Sequence, residues 1–315
     1  MRKWQGSAVF LLVIGFTMIF SSPADLLAAA KPVRSSKKIY DHPRLNDTIT
    51  TGGYRTTGLS LNARSALVVD NRGGGWIYAK QPQQVAPIAS LTKLLTIMVY
   101  LDMEPNLDTI VYISARDCYQ SSRSRIRKGE GYKAIDLLHA ALMASDNRAA
   151  RAIATASGLP RQIFVDKMNE KARSLGMTDT RVYEVTGLDE RNVATASDIA
   201  ILIREAMKYP LISKISAKDQ HFCKARHRKS QQHFKNTNRL IGSKWKVLVG
   251  KTGYIIESGY CLATILADQL GHEVAIVVMG SPSNGSRFSV TRKLAEYAFK
   301  LAGRNINGNQ QITGG

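Results

Sequence analysis

The chain has 315 residues, 44% of them hydrophobic, which suits one large or two small domains around a continuous core and excludes a globally disordered polymer. Its 44 Lys and Arg against 24 Asp and Glu leave a formal charge of +20, matched to a partner rich in phosphate or carboxylate such as nucleic acid, anionic lipid or wall polymer. Three cysteines, Cys118, Cys223 and Cys261, allow at most one intramolecular disulfide and exclude a disulfide-built scaffold.

Residues 1–30 carry the parts of a secretory signal: basic Arg2 and Lys3, an apolar run from Ala8 to Phe20, then small residues, with cleavage expected after Ala30. That run is shorter than the roughly 20 residues a spanning helix needs. The mature protein is therefore expected in the periplasm or cell-wall compartment without a stable membrane anchor, and nucleic acid drops out as a partner. Residues 31–58 are polar and basic, with Pro32, Pro43 and a Thr/Gly-rich stretch from Thr48 to Gly53, and read as a loosely packed arm.

Globular patterning begins at Leu59. Ala66–Val69 and Trp76–Ala79 flank Gly73-Gly74-Gly75 and predict an antiparallel hairpin. From Ser90 to Leu101 the residues Leu91, Leu94, Leu95, Met98 and Leu101 recur at helical spacing and predict a core helix starting at or near Ser90. Further helices are expected over Ala134–Ala144, Asn147–Ala156, Gln162–Leu175 and Ser197–Lys208, the last capped by Ser197 and Asp198. After a basic loop, Lys246–Tyr254, Tyr260–Ala267 and Val274–Met279 read as strands, Thr291–Leu301 as a helix and 303–315 as a flexible tail. Strands at both ends with helices between them imply an α+β fold, an antiparallel sheet covered by helices with a mainly helical subdomain. Cys261, inside the apolar stretch Tyr260–Leu266, reads as a buried inert thiol.

Three motifs carry chemistry. Ser90-Leu91-Thr92-Lys93 puts a hydroxyl and an amine on one helix face, within reach for proton exchange, where the helix N-terminus favours a developing oxyanion. Ser35-x-x-Lys38 and Ser243-x-x-Lys246 share the spacing, but only Ser90 opens an apolar helix. Ser145-Asp146-Asn147 falls between two expected helices, where it would project Ser145 and Asn147 from a turn; alone it is an ordinary cap sequence. Lys251-Thr252-Gly253 lies in an expected strand, with Lys251 and Gly253 on one face and Thr252 on the other, and Gly253 would leave room for an extended substrate at the strand edge.

The three motifs in this order resemble the serine D-alanyl-D-alanine peptidases, the low-molecular-mass penicillin-binding proteins. The segments Ile88–Leu94, Ser174–Met177, Thr186–Leu188 and Asn236–Leu240 resemble the endopeptidase branch of that family. The resemblance spans about 59–302 as one catalytic domain. It implies the penicillin-recognising fold, no cofactor and no metal, and a short C-terminus without the extra β-domain and amphipathic anchor of the major carboxypeptidases. The six histidines offer no His-Glu-x-x-His spacing.

The resemblance also implies roles: Ser90 as the acylated nucleophile, Lys93 as its base, Ser145 as a proton relay and Asn147 as a substrate-amide partner. Lys251 and Thr252 would bind a substrate carboxylate, and the N–H groups of Ser90 and Tyr254 would hold the oxyanion beside Gly253. For Lys93 to act as a base, burial and a neighbouring cation, Lys251, would have to depress its pKa. The expected partners are peptidoglycan peptides, β-lactams as covalent inhibitors, and anionic wall polymers through the basic segment holding Lys224, Arg226, Arg228, Lys229 and Lys235, otherwise a solvated loop.

Ile255 departs from the threonine that relatives often carry two residues after the motif glycine. Two other functions share these motifs. A class A β-lactamase would need a deacylating Glu-x-x-x-Asn segment between Asn147 and Lys251, and Glu170, Glu184, Glu190 and Glu205 all miss that spacing. A non-catalytic wall-binding protein would keep the fold and use only the charge.

Overall fold

The computed structural model describes residues 59–119 and 124–310, with side chains as far as residue 303; the expected signal segment and basic arm lie outside the described residues. Ser65–Asp70 (β1) and Trp76–Lys80 (β2) form the expected antiparallel hairpin. The Asp70 N–H donates to the Gly75 carbonyl at 2.8 Å, and Gly74 turns the chain at φ +74°, which only glycine adopts without strain.

Ala86–Pro87 (β3) leads into a 3₁₀ turn, Ala89–Leu91, and the α-helix Thr92–Leu101 (α1) follows. The α-helix thus starts two residues later than the periodicity predicts. Ala89 at φ +47° cannot join a right-handed helix, and Thr92 Oγ1 donates to its carbonyl at 2.8 Å, so the chain enters α1 through a tighter turn.

Ile110–Tyr112 (β4) and Gly131–Lys133 (β5) pair as a small hairpin before Ala134–Met143 (α2). Asn147–Ala156 (α3) has the predicted bounds because Asp146 caps it, accepting from the Ala149 N–H at 3.0 Å. Arg161–Ser174 (α4) follows, and Val193–Ala194 (β6) pairs with β3. Ala196–Met207 (α5) is capped by Thr195, whose hydroxyl accepts from Asp198 N–H at 3.0 Å, not by Ser197 and Asp198, which lie inside its first turn. Pro210–Ser216 (α6) starts on the proline, favoured at a first helical position.

Lys224, Arg226 and Lys229 of the basic segment lie exposed in a loop, as expected, but a short hairpin not expected from the sequence holds the two ends of that loop. Gln220–Cys223 (β7) and Gln232–Lys235 (β8) form a hairpin that buries Cys223, Gln232 and Phe234. Lys246–Ile255 (β9), Gly259–Ala267 (β10) and Glu273–Ser281 (β11) complete the strands, and Asn284–Gln310 (α7) ends the described chain. The last helix starts seven residues before Thr291, because Ser283 Oγ accepts from the Ser286 N–H at 3.0 Å and fixes its first turn. It also continues to Gln310, where a tail from 303 was expected; no proline follows Pro282 to stop it.

The main sheet runs β2-β1-β11-β10-β9 with antiparallel neighbours, so the first strands of the domain pair with the last. One face packs on α7 through Val68, Leu262, Ile276, Phe288 and Leu294. The other supports the helical part through Leu67, Val249, Ala263 and Val277. That antiparallel sheet between helices is the expected α+β plan, and it leaves β9, which carries Lys251-Thr252-Gly253, at the sheet edge.

Candidate active site

The 3₁₀ turn places Ser90 one turn before Lys93, whose side chain is fully buried. Lys93 Nζ donates to Ser90 Oγ at 2.7 Å, Asn147 Oδ1 at 2.6 Å and the Thr186 carbonyl at 2.7 Å, occupying all three ammonium hydrogens. Burial is the main force that lowers its pKa to about 7; the charges of Glu184 and Asp146 oppose the shift and Arg151 adds to it.

Lys251 is also buried and donates to Ser145 Oγ at 2.7 Å and the Thr252 carbonyl at 2.8 Å. Burial pushes its pKa well down, and the charges of Lys93 and Arg287 push it further. Arg151 is thus a second cation acting on Lys93, beside the expected neighbour Lys251, whose own proton the charge of Lys93 disfavours. The first and third motifs each converge on the second. Ser145 itself sits at φ +58°, a strained conformation for a non-glycine residue that re-aims its hydroxyl toward β9.

The Thr252 hydroxyl meets that of Thr237 at 2.6 Å. Thr237 N–H in turn donates to the Met143 carbonyl at 2.9 Å, so the 236–238 segment ties the end of α2 to β9. At Gly253 a Cβ would stand 3.0 Å from the Ile88 carbonyl and 3.1 Å from Ser90 N. The glycine therefore admits the turn that carries Ser90, a closer constraint than the expected room for substrate. Tyr254 is half exposed, its ring stacked on Tyr260 at 4.1 Å between centroids.

The family pattern described as D-alanyl-D-alanine carboxypeptidase matches residues 53–283, most of the described chain. The chain belongs to the D-alanyl-D-alanine carboxypeptidase family. It is similar to a D-alanyl-D-alanine endopeptidase of Pseudomonas aeruginosa, 40% identical over 64% of this chain and 66% of that one. A D-alanyl-D-alanine endopeptidase of Escherichia coli is 36% identical over 73% of this chain and 75% of its own. The crystal structure of the Streptomyces K15 DD-transpeptidase superposes with a TM-score of 0.72 at 26% identity, covering 77% of this chain and 98% of that one. The expected family and the expected fold are both borne out.

Several residues of this family member's site were not assigned roles by sequence reasoning. Glu184, considered only as a deacylating carboxylate, accepts from Thr186 N–H and Oγ1 at 2.8 and 2.7 Å and from the N–H groups of Gly187 and Leu188. It folds the loop whose Thr186 carbonyl holds Lys93. Within that loop Gly187, at φ +82°, lies so close beneath the Ser90 turn that a Cβ would fall 1.8 Å from the Ala89 carbonyl oxygen.

From α7, buried Arg287 donates to the Gly253 and Cys261 carbonyls at 3.0 and 3.1 Å, bracing β9 against β10 from behind. Its only sequence signal is a cation ahead of an apolar helix face. Cys261 is buried and its thiol pKa is raised, the inert role expected of it. Among the described residues, Asp136, His221 and Cys223 bring one potential metal-ligand atom each within 4.8 Å, but His221 Nε2 is hydrogen-bonded to Asp136 at 2.8 Å and none of the three touches Ser90, Lys93 or Lys251.

Proposed function

We propose that this protein is an exported D,D-endopeptidase that cleaves D-alanyl cross-links of peptidoglycan through a serine acyl-enzyme. The observation that carries the reading is Lys93, a buried amine with a pKa near 7 in contact with Ser90 Oγ. An amine that is substantially neutral at physiological pH can take the Ser90 proton as the oxygen attacks a D-alanine carbonyl. The N–H groups of Ser90 and Tyr254 hold the resulting oxyanion, while the turn keeps both close to Gly253.

Collapse of the tetrahedral adduct breaks the C–N bond. The departing amine takes a proton through Ser145, which Lys251 resupplies across their 2.7 Å contact. Asn147 holds the substrate amide, and Lys251 with Thr252 faces the carboxylate next to the scissile bond or its cross-linked equivalent. Water then hydrolyses the ester, giving a free D-alanine carboxylate and restoring Ser90. β-Lactams enter by the same attack, opening the lactam ring, and remain as a stable ester. Among the described residues no helix is long and apolar enough to cross a membrane. The basic β7–β8 hairpin supplies attraction to anionic wall polymers.

Digestion of isolated muropeptides separates the two D,D-peptidase activities. Loss of cross-linked dimers with the active chain, and none with Ser90→Ala, is the expected result. Loss of terminal D-alanine from monomers with dimers left intact would replace the endopeptidase reading by a carboxypeptidase one.

A further inference from the structure

We propose that a cleft beside the nucleophile site is a subsite for an amino-acid head group, a carboxylate with an N–H or ammonium donor next to it. The cleft, of about 410 Å³, lies between residues 124–127 and the β7–β8 hairpin and is lined by Ser124, Arg125, Arg127, Arg228 and Gln232. It is joined to the site from both walls. Ser124 Oγ donates to Asp146 Oδ2 at 2.6 Å, inside the motif whose Asn147 holds Lys93. From the other wall, β8 runs directly into the segment whose Thr237 meets Thr252. A peptide lying along β9 with its reacting carbonyl at Ser90 would have part of its length next to this cleft.

The charges of the cleft are unequally committed. Arg228 is paired with Glu130 at 2.8 Å, and Glu130 also accepts from Tyr132 Oη and the Arg127 N–H. Among the described residues Arg125 donates to the His233 carbonyl, at 2.6 Å, and neither Arg125 nor Arg127 has an ion-pair partner. Two guanidinium groups are thus left for an anion, and their planar forks suit a carboxylate.

Gln232 defines the second half of the ligand. It is 5% exposed, and its Nε2 faces two acceptors, the Arg125 carbonyl and Glu130 Oε2, each at 3.3 Å, which fixes the amide orientation. Its Oε1 is buried without a donor. A buried carbonyl oxygen in that position is costly until an N–H reaches it. A carboxylate for the arginines and an N–H for Gln232 together describe the free end of a diamino-acid residue in a wall stem peptide, an identification that rests on the D,D-peptidase reading.

Direct binding tests the subsite without turnover. In a Ser90→Ala chain, calorimetry would compare a stem tripeptide ending in diaminopimelate with the same peptide amidated at its side-chain carboxylate. The free acid should bind about tenfold more tightly, as expected for one charge-assisted pair. Arg127→Gln, whose side chain holds no other group in place among the described residues, and the double substitution with Arg125→Gln should erase that preference. Lys224→Gln with Lys229→Gln, outside the cleft, should retain it. Equal affinity for the two peptides, a preference that survives the arginine substitutions, or equal loss with the lysine substitutions would overturn the subsite. Failure of the peptidase reading would show separately, as absence of Ser90 acylation by penicillin in the unsubstituted chain.

Discussion

Lys93→Met is expected to slow acylation of Ser90 by penicillin by about 10³-fold, within the range that general-base catalysis supplies. The methionine keeps the buried volume but cannot accept the serine proton. It also leaves Asn147 Oδ1 and the Thr186 carbonyl without the donor they now share. In the unsubstituted chain the acylation rate should rise about tenfold per pH unit below pH 7 and level off above it, since only the neutral amine is a base and its pKa lies at about 7. Stopped-flow acylation across pH, with the melting midpoint as a check on folding, measures both effects. A loss below tenfold, or a flat profile between pH 5 and 8, would remove Lys93 from the role of base.

Gly187→Ala should cost about 3 kcal/mol or more, combining left-handed strain with overpacking against backbone. At φ +82° the new Cβ would overlap the Ala89 carbonyl oxygen, a backbone atom of the Ser90 turn that cannot swing aside as a side chain could. Gly176→Ala is the internal comparison. That glycine has the same φ of +82°, but a Cβ there meets nothing within 4 Å, so only the conformational cost of about 1 kcal/mol remains. Thermal melting should separate the two variants by several degrees, and Gly187→Ala should also acylate slowly at temperatures where it stays folded. Equal destabilisation would mean that the Ser90 turn yields to the loop.

Where an element's signal is local, the sequence reveals it. The Gly73-Gly74-Gly75 turn specifies β1 and β2, and Asp146 fixes the start of α3, because each depends on residues next to one another. Apolar runs likewise mark β9, β10 and β11. The β7–β8 hairpin is hidden because each strand has only four residues, with Cys223, Gln232 and Phe234 as its buried strand positions, and the exposed Lys224, Arg226 and Lys229 dominate the connection between them. At seven residues, α6 is too short to show helical periodicity.

The site divides in the same way. Ser90 and Lys93 are three residues apart, so their contact follows from helical geometry. The three motif positions announced themselves as residue types, but Lys251 meets Ser145 across 106 residues, a pairing that only the fold creates. The anchoring of the 186–188 loop by Glu184 and the bracing of Gly253 by Arg287 are likewise products of long-range packing. Neither has a spacing to detect, which is why both were missed. The depressed Lys93 pKa follows from chemistry alone, yet the added contribution of Arg151 requires coordinates.

Intact-mass analysis after incubation with penicillin, followed by peptide mapping, tests the central claim most directly. A single long-lived adduct on the peptide containing Ser90, absent from Ser90→Ala, is the predicted result. A correctly folded chain that neither acquires an adduct nor consumes the drug would contradict a serine acyl-enzyme and leave a non-catalytic wall-binding protein in its place.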